Sequence, residues 1–175
     1  MYRRFIGSAL FFIYCDTNNI IYNMEDFMFS IEQLRDYLKQ NQCDFEIIKH
    51  PEPIISTQDA AKYFDINKAV PTFILQSEVG LMAFIISSQY GKLDLKKLKA
   101  ELNLSKLKFA DRDIVKEATG YEVGSVPLIG HNLRCAIDKT LLQFDYIYGG
   151  SGDKYHTLKI TPSDVFRLSN EACYL

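Results

Sequence analysis

The stretch GYEVGSVPLIGH, residues 120–131, gathers three glycines, a proline and a histidine into twelve positions. Glycine lacks a Cβ, so its backbone N–H groups can approach a ligand closely at φ values other residues avoid. A tight structural turn is the alternative reading of the same residues. The other side chains able to do chemistry are spread out. His50 stands just before Pro51, His131 closes the glycine stretch, and His156 follows a second glycine-rich run, GGSGD at 149–153. For each histidine, a hydrogen-bonded structural role and a catalytic role both stay open. GGSGD lies between two strand-like runs and reads as a turn rather than a phosphate cradle.

The remaining inventory excludes several chemistries. No P-loop, H-E-x-x-H or strand-following G-x-G-x-x-G is present. Cys15, Cys43, Cys135 and Cys173 are scattered, with no C-x-x-C spacing, so they read as isolated thiols rather than a zinc set. A Ser-His-Asp triad is spatial and cannot be read from sequence. The formal net charge of −2 argues against a generally basic nucleic-acid binder. Locally, residues 92–116 carry eight basic side chains against four acidic ones. Lys92, Lys96, Lys97 and Lys99 lead that segment, as a solvated helix face or as contacts to a phosphate backbone.

The elements that position these residues follow from periodicity. Ser30 with Gln33 is a capping box opening a helix over 31–41, with Ile31, Leu34 and Leu38 on one face. DFEIIKH (44–50) reads as a strand, and Ser56 with Asp59 opens a short helix to about Phe64. PTFILQ (71–76) and LMAFIIS (81–87) read as a hairpin. LDLKKLKAEL (93–102) is a helix with Leu95, Leu98 and Leu102 on one face, KLKF (106–109) a short strand, and Asp111 a cap for a helix to Thr119. LRCAID (133–138), FDYIY (144–148) and HTLKI (156–160) read as strands. Thr161, Pro162 and Asp164 start a last helix. The order predicts one α+β domain with a mixed, mostly antiparallel and barrel-like sheet flanked by helices.

Residues 1–23 need a separate reading. Phe5–Cys15 is apolar and follows two arginines, but it is too short to span a membrane. These residues read as an extension upstream of Met24, as an added strand or helix, or as a targeting segment. Residues 24–175 read as the domain.

In order along the chain, DFEIIKHPEPIISTQDAAKYF, AVPTFILQ with LMAFIIS, GKLDLKKLKAELNLSKLKFAD, ATGYEVGSVPLIGH, CAIDKTLL and YIYGGSGDKYHTLKITPSDVFRL resemble the YbaK/prolyl-tRNA synthetase-associated editing domain family. The resemblance runs from about residue 30 to 170. It implies a cytoplasmic, trans-acting aminoacyl-tRNA deacylase with no cofactor and no metal. Its substrate would be the aminoacylated 3′ end of a tRNA, such as tRNA for proline carrying a small amino acid, and it would have a link to prolyl-tRNA synthetase. By the same resemblance, Gly124, Ser125 and Val126 face the ester. His50, Thr57, Lys68, Gly120, Pro127, Leu128, Gly130, His131 and Asp138 form or shape the pocket, with backbone bonding as the alternative role of Asp138. Lys92, Lys96, Lys97 and Lys99 meet tRNA phosphates. Two positions depart from the family pattern. Pro71 stands where a lysine is usual, with Lys68 or Lys49 as replacement cations. Leu128 stands where the loop proline is usual, with Pro127 one place early. These departures imply a changed pocket wall, with shifted substrate choice or binding without hydrolysis.

Overall fold

The computed structural model of the chain describes the backbone of residues 2–6, 9–13 and 28–175, and the side chains of residues 28–175 except 57 and 170. Strands β1 (Tyr2–Ile6) and β2 (Ala9–Ile13) form an antiparallel hairpin with Tyr2 opposite Ile13. Helix α1 (Ile31–Gln40) starts at the predicted capping box. Ser30 Oγ accepts from Gln33 N–H, and the Gln33 side chain accepts from Ser30 N–H. Its Leu34 and Leu38 are fully buried. Strand β3 (Phe45–Lys49) follows, then α2 (Thr57–Ala60), where Ser56 and Asp59 exchange reciprocal bonds of 3.1 and 3.3 Å.

Strands β4 (Ala69–Val70) and β5 (Thr72–Ser77) are one extended run broken at Pro71. Proline supplies no N–H to a ladder, and here the chain changes sheets. Strand β4 pairs parallel with β9 (Ile147–Gly150), whereas β5 pairs antiparallel with β6 (Gly80–Ile85) and β7 (Leu107–Phe109). One sheet has the order β3-β10-β9-β4, with β10 at His156–Ile160. The other has the order β11-β8-β6-β5-β7, with β8 at Arg134–Ile137 and β11 at Asn170–Tyr174. The mixed sheet is therefore two sheets meeting at Pro71, and among the described residues they do not close into a barrel.

The five-stranded sheet is buried on both faces. Ile74, Ala83, Ile85, Cys135 and Ile137 enter the main core with α1, α4 (Arg112–Thr119) and α5 (Pro162–Leu168). Their neighbours Leu75, Met82, Phe84 and Ala136 point the other way, under α3 (Leu95–Glu101) and its Leu98. Two-sided burial explains why LMAFIIS reads as an unbroken apolar run. The cap at Thr161 follows the sequence, whereas Asp94, read as part of a helix over 93–102, is itself the N-cap, its Oδ1 accepting from Lys96 and Lys97 N–H. Asp111 departs from expectation. It occupies the N-cap position of α4, but its carboxylate makes no capping bond and lies 3.9 Å from Lys108 Nζ. The strand predicted from Phe144 starts instead at Ile147, because Lys139–Gln143 form a 3₁₀ turn capped by Asp138.

Candidate active site

A cavity of about 460 Å³ opens where the two sheets meet. The break at Pro71 forms one wall, the segment Ile54–Ser56 with Ala60 and Phe64 another, and Val123–Val126 a third. The glycine stretch is fixed at both ends and projects between them. Gly120 ends α4 in the left-handed region, with φ of 79°, and its N–H donates to Lys116 O. The buried Tyr121 ring follows, its hydroxyl accepting from Phe29 N–H at 2.8 Å. A turn closed by Ser125 N–H to Glu122 O places Gly124 at φ 94°. Val126, Pro127, Leu128 and Ile129 then dive into the core.

GGSGD makes this descent possible. Its first two glycines lie in β9 rather than in a turn, correcting the sequence expectation. A Cβ on Gly149 would sit 2.5 Å from the Leu128 side chain, and one on Gly150 would sit 2.3 Å from Val126 O. With both absent, the loop lies directly on β9 and Leu128 N–H donates to Gly150 O at 2.9 Å. Thr72 Oγ1 donates to Pro127 O at 3.4 Å from the other wall. The loop is thus pinned after Val126. Among the described residues, the amides of Val123, Gly124 and Val126 donate to no protein group. Val126 is itself a buried residue, 5% exposed, that lines the cavity.

Gly124, Ser125 and Val126 all line the cavity, together as the sequence suggested. The remaining residues expected at the pocket are placed as follows. His50 is buried behind the wall, with Nε2 2.9 Å from Oγ1 of Thr157, which lines the cavity. Its ring packs on Tyr63 and Phe64 at centroid distances of 4.5 and 6.2 Å. Burial lowers its pKa, and the electrostatic effect of the neighbouring His156 ring acts in the same direction. Thr57 opens α2, and its side chain lies outside the described residues.

Lys68 does not line the cavity. Its Nζ lies 4.0 Å from the centre of the Tyr146 ring, and Lys49 is likewise absent from the wall. The cations that do line it are Arg112 and Lys154, with the carboxylate of Asp153 and the ring of His156 nearby. Nδ1 of His156 is buried without a hydrogen bond, 3.5 Å from Asp153 Oδ1.

Gly120, Pro127, Leu128, Gly130, His131 and Asp138 do not line the cavity either. Gly120 and Gly130 make room for Met28 and Phe29. His131 is buried, its Nδ1 accepting from Leu133 N–H and its Nε2 3.7 Å from Cys135 Sγ. Burial pushes its pKa down to about 4, so it stays neutral near pH 7. Asp138 takes the second of its two sequence readings. It accepts from Ser87 N–H, from Thr140 N–H and from the Thr140 hydroxyl, the last at 2.7 Å. Lys92, Lys96, Lys97 and Lys99 lie on or beside α3, which packs on the face of its sheet turned away from the main core. None of the four lines the cavity.

Sequence reasoning passed over Thr157, Asp153, Lys154, Arg112 and His156 as wall residues. Only the break at Pro71 and the glycines of β9 hinted that the sheets part there. Among the described residues, no three His, Cys, Asp or Glu side chains gather as a metal set, and no helix is long and apolar enough to cross a membrane.

The chain is similar in fold to several solved structures. The hypothetical protein APE2540 is 22% identical, with 81% of this chain and 96% of that one covered and a TM-score of 0.72. A candidate trans-editing enzyme for prolyl-tRNA synthetase is 22% identical, with coverages of 83% and 94% and a TM-score of 0.71. The family model of the aminoacyl-tRNA editing domain matches residues 51–168, a span that takes in every wall of the cavity. The chain belongs to the aminoacyl-tRNA editing domain family.

Proposed function

We propose that this chain is a trans-acting deacylase that hydrolyses the ester linking an amino acid to the 3′-terminal ribose of a tRNA. The observation that carries the reading is the set of amides at Val123, Gly124 and Val126 in the cavity wall, which donate to no group among the described residues. Water adds to the ester carbonyl carbon, and the charge gathering on the carbonyl oxygen meets those amides. The ester C–O bond then breaks, and a proton originating from the water ends on the departing ribose oxygen. His131 takes no part, because it lies outside the cavity. The likeness to a candidate trans-editing enzyme for prolyl-tRNA synthetase supports tRNA for proline carrying a small amino acid as substrate, and a working link to that synthetase in the cytoplasm. The lysines of α3 would meet the tRNA backbone at a distance from the cavity.

A second reading has its own observation. Pro71 offers the cavity no charge, and Lys68 is engaged with Tyr146, so the same pocket could hold an aminoacyl end without cleaving it. Deacylation of a panel of radiolabelled aminoacyl-tRNAs, including alanyl-, cysteinyl- and seryl-tRNA for proline, separates the two. Hydrolysis of one or two members supports the deacylase. Binding of tRNA without hydrolysis of any member supports the second reading.

A further inference from the structure

We propose that the Thr157 hydroxyl contacts the aminoacyl-adenosine end of the substrate, and that His50 acts through it as a positioning residue. The inference rests on the reading of the cavity as the ester site. Thr157 lines the cavity yet is only 5% exposed, and its Oγ1 lies 2.9 Å from Nε2 of the buried His50. A hydroxyl has one donor and two acceptor positions, and His50 occupies one of them. The rest remain available toward the cavity.

Register fixes where that hydroxyl stands. Thr157 on β10 is the cross-strand partner of Gly150 on β9, so their side-chain positions share one face of the sheet. On that face, the empty Cβ position of Gly150 is 2.3 Å from Val126 O. Thr157 is therefore the next side chain to the loop segment whose amides would hold the ester carbonyl. His50 is the residue that sets its rotamer, because Tyr63 and Phe64 pack on the imidazole ring. In the tautomer whose Nε2 accepts the Thr157 proton at 2.9 Å, the hydroxyl oxygen keeps its lone pairs for the cavity. The matching substrate group is a hydrogen-bond donor beside the ester. The α-ammonium group and the ribose 2′-hydroxyl are the two sources of that chemistry.

The test uses the full chain and a stable amide analogue, 3′-alanylamino-3′-deoxyadenosine, with Kd measured by calorimetry. Thr157→Val keeps the shape and removes the hydroxyl. It should leave the thermal midpoint near that of the wild type and weaken binding by about tenfold or more. His50→Ala should weaken binding similarly, and should add little in the Thr157→Val background, because the two act as one unit. His50→Gln, which can still bond to the hydroxyl, should recover part of the loss. N-acetylation of the analogue's amine and removal of its 2′-hydroxyl identify which donor is read: the matching analogue loses affinity with wild type and not with Thr157→Val. Wild-type affinity in Thr157→Val, or fully additive losses in the double variant, would overturn the proposal. A wild type that binds the analogue but hydrolyses no aminoacyl ester overturns the deacylase reading alone. A wild type that does not bind the analogue overturns both.

Discussion

Gly150 shows how much of the site hangs on one missing carbon. Its Cβ would stand 2.3 Å from a backbone oxygen, which cannot rotate away as a flexible side chain could. Gly150→Ala should therefore push Val126 off β9 and cost about 1–3 kcal/mol in denaturant unfolding, with ester hydrolysis falling further than stability. A variant that unfolds like wild type and hydrolyses at the wild-type rate would show that the loop does not need this contact. His131 makes a different prediction. In the unfolded chain its imidazole binds a proton as pH falls through about 6.5, whereas the buried ring stays neutral down to about 4. Its contribution is thus complete above pH 6.5 and is lost as pH falls toward 4, by about 3 kcal/mol in total. Urea unfolding of wild type and His131→Gln from pH 7 to 4 should give a steeper acid decline for wild type. Parallel curves would contradict the burial argument. The residue types of His131 and Asp138 were legible in the sequence. Their direction was not, because a polar residue beside a glycine loop carries no periodic signal saying which side of the chain it faces.

At the scale of elements, amphipathic helices were the most readable features. Ser30, Ser56 and Thr161 announce helix starts through side-chain acceptors, and each makes the capping bond its type suggests. Asp111 has the same type and fails, which shows that a cap residue is necessary context and not proof. Strand β11 went unread. NEACY has no clean alternation, and it pairs parallel with β8 only because α5 returns the chain to that edge. Helix α3 allows a test of how the molecule separates stability from chemistry. Leu98 is 8% exposed in the cluster on the far face of the five-stranded sheet. Leu98→Ala should cost about 2–5 kcal/mol, because the sheet leaves a cavity there that it cannot fill. Hydrolysis per folded molecule should stay at the wild-type level. A matching drop in activity at low temperature, with the chain fully folded, would show that α3 supports the chemistry directly.

For the whole molecule, the arrangement depends on one proline and two glycines. Pro71 breaks an extended run so that its halves join different sheets, and Gly149 with Gly150 lets the loop reach across the resulting gap. The fold class was legible because hairpin and helix signals came in an order that favours a mixed sheet. The division into two sheets was not, since pairing partners such as β4 with β9 are far apart in sequence. The same limit hid Thr157 and Arg112, which reach the cavity only through tertiary placement. In the proposed reaction the backbone amides of the glycine loop stabilise the charge that gathers on the ester carbonyl oxygen, with Gly124 at φ 94° setting their direction. This role is tested most directly by single-turnover deacylation of alanyl-tRNA for proline by wild type and by Gly124→Val. Valine is strained at that φ and should rotate the amides away from the ester. Wild type should hydrolyse the ester and the variant should lose about a hundredfold in rate, with tRNA binding retained. Equal rates in the two proteins would contradict it.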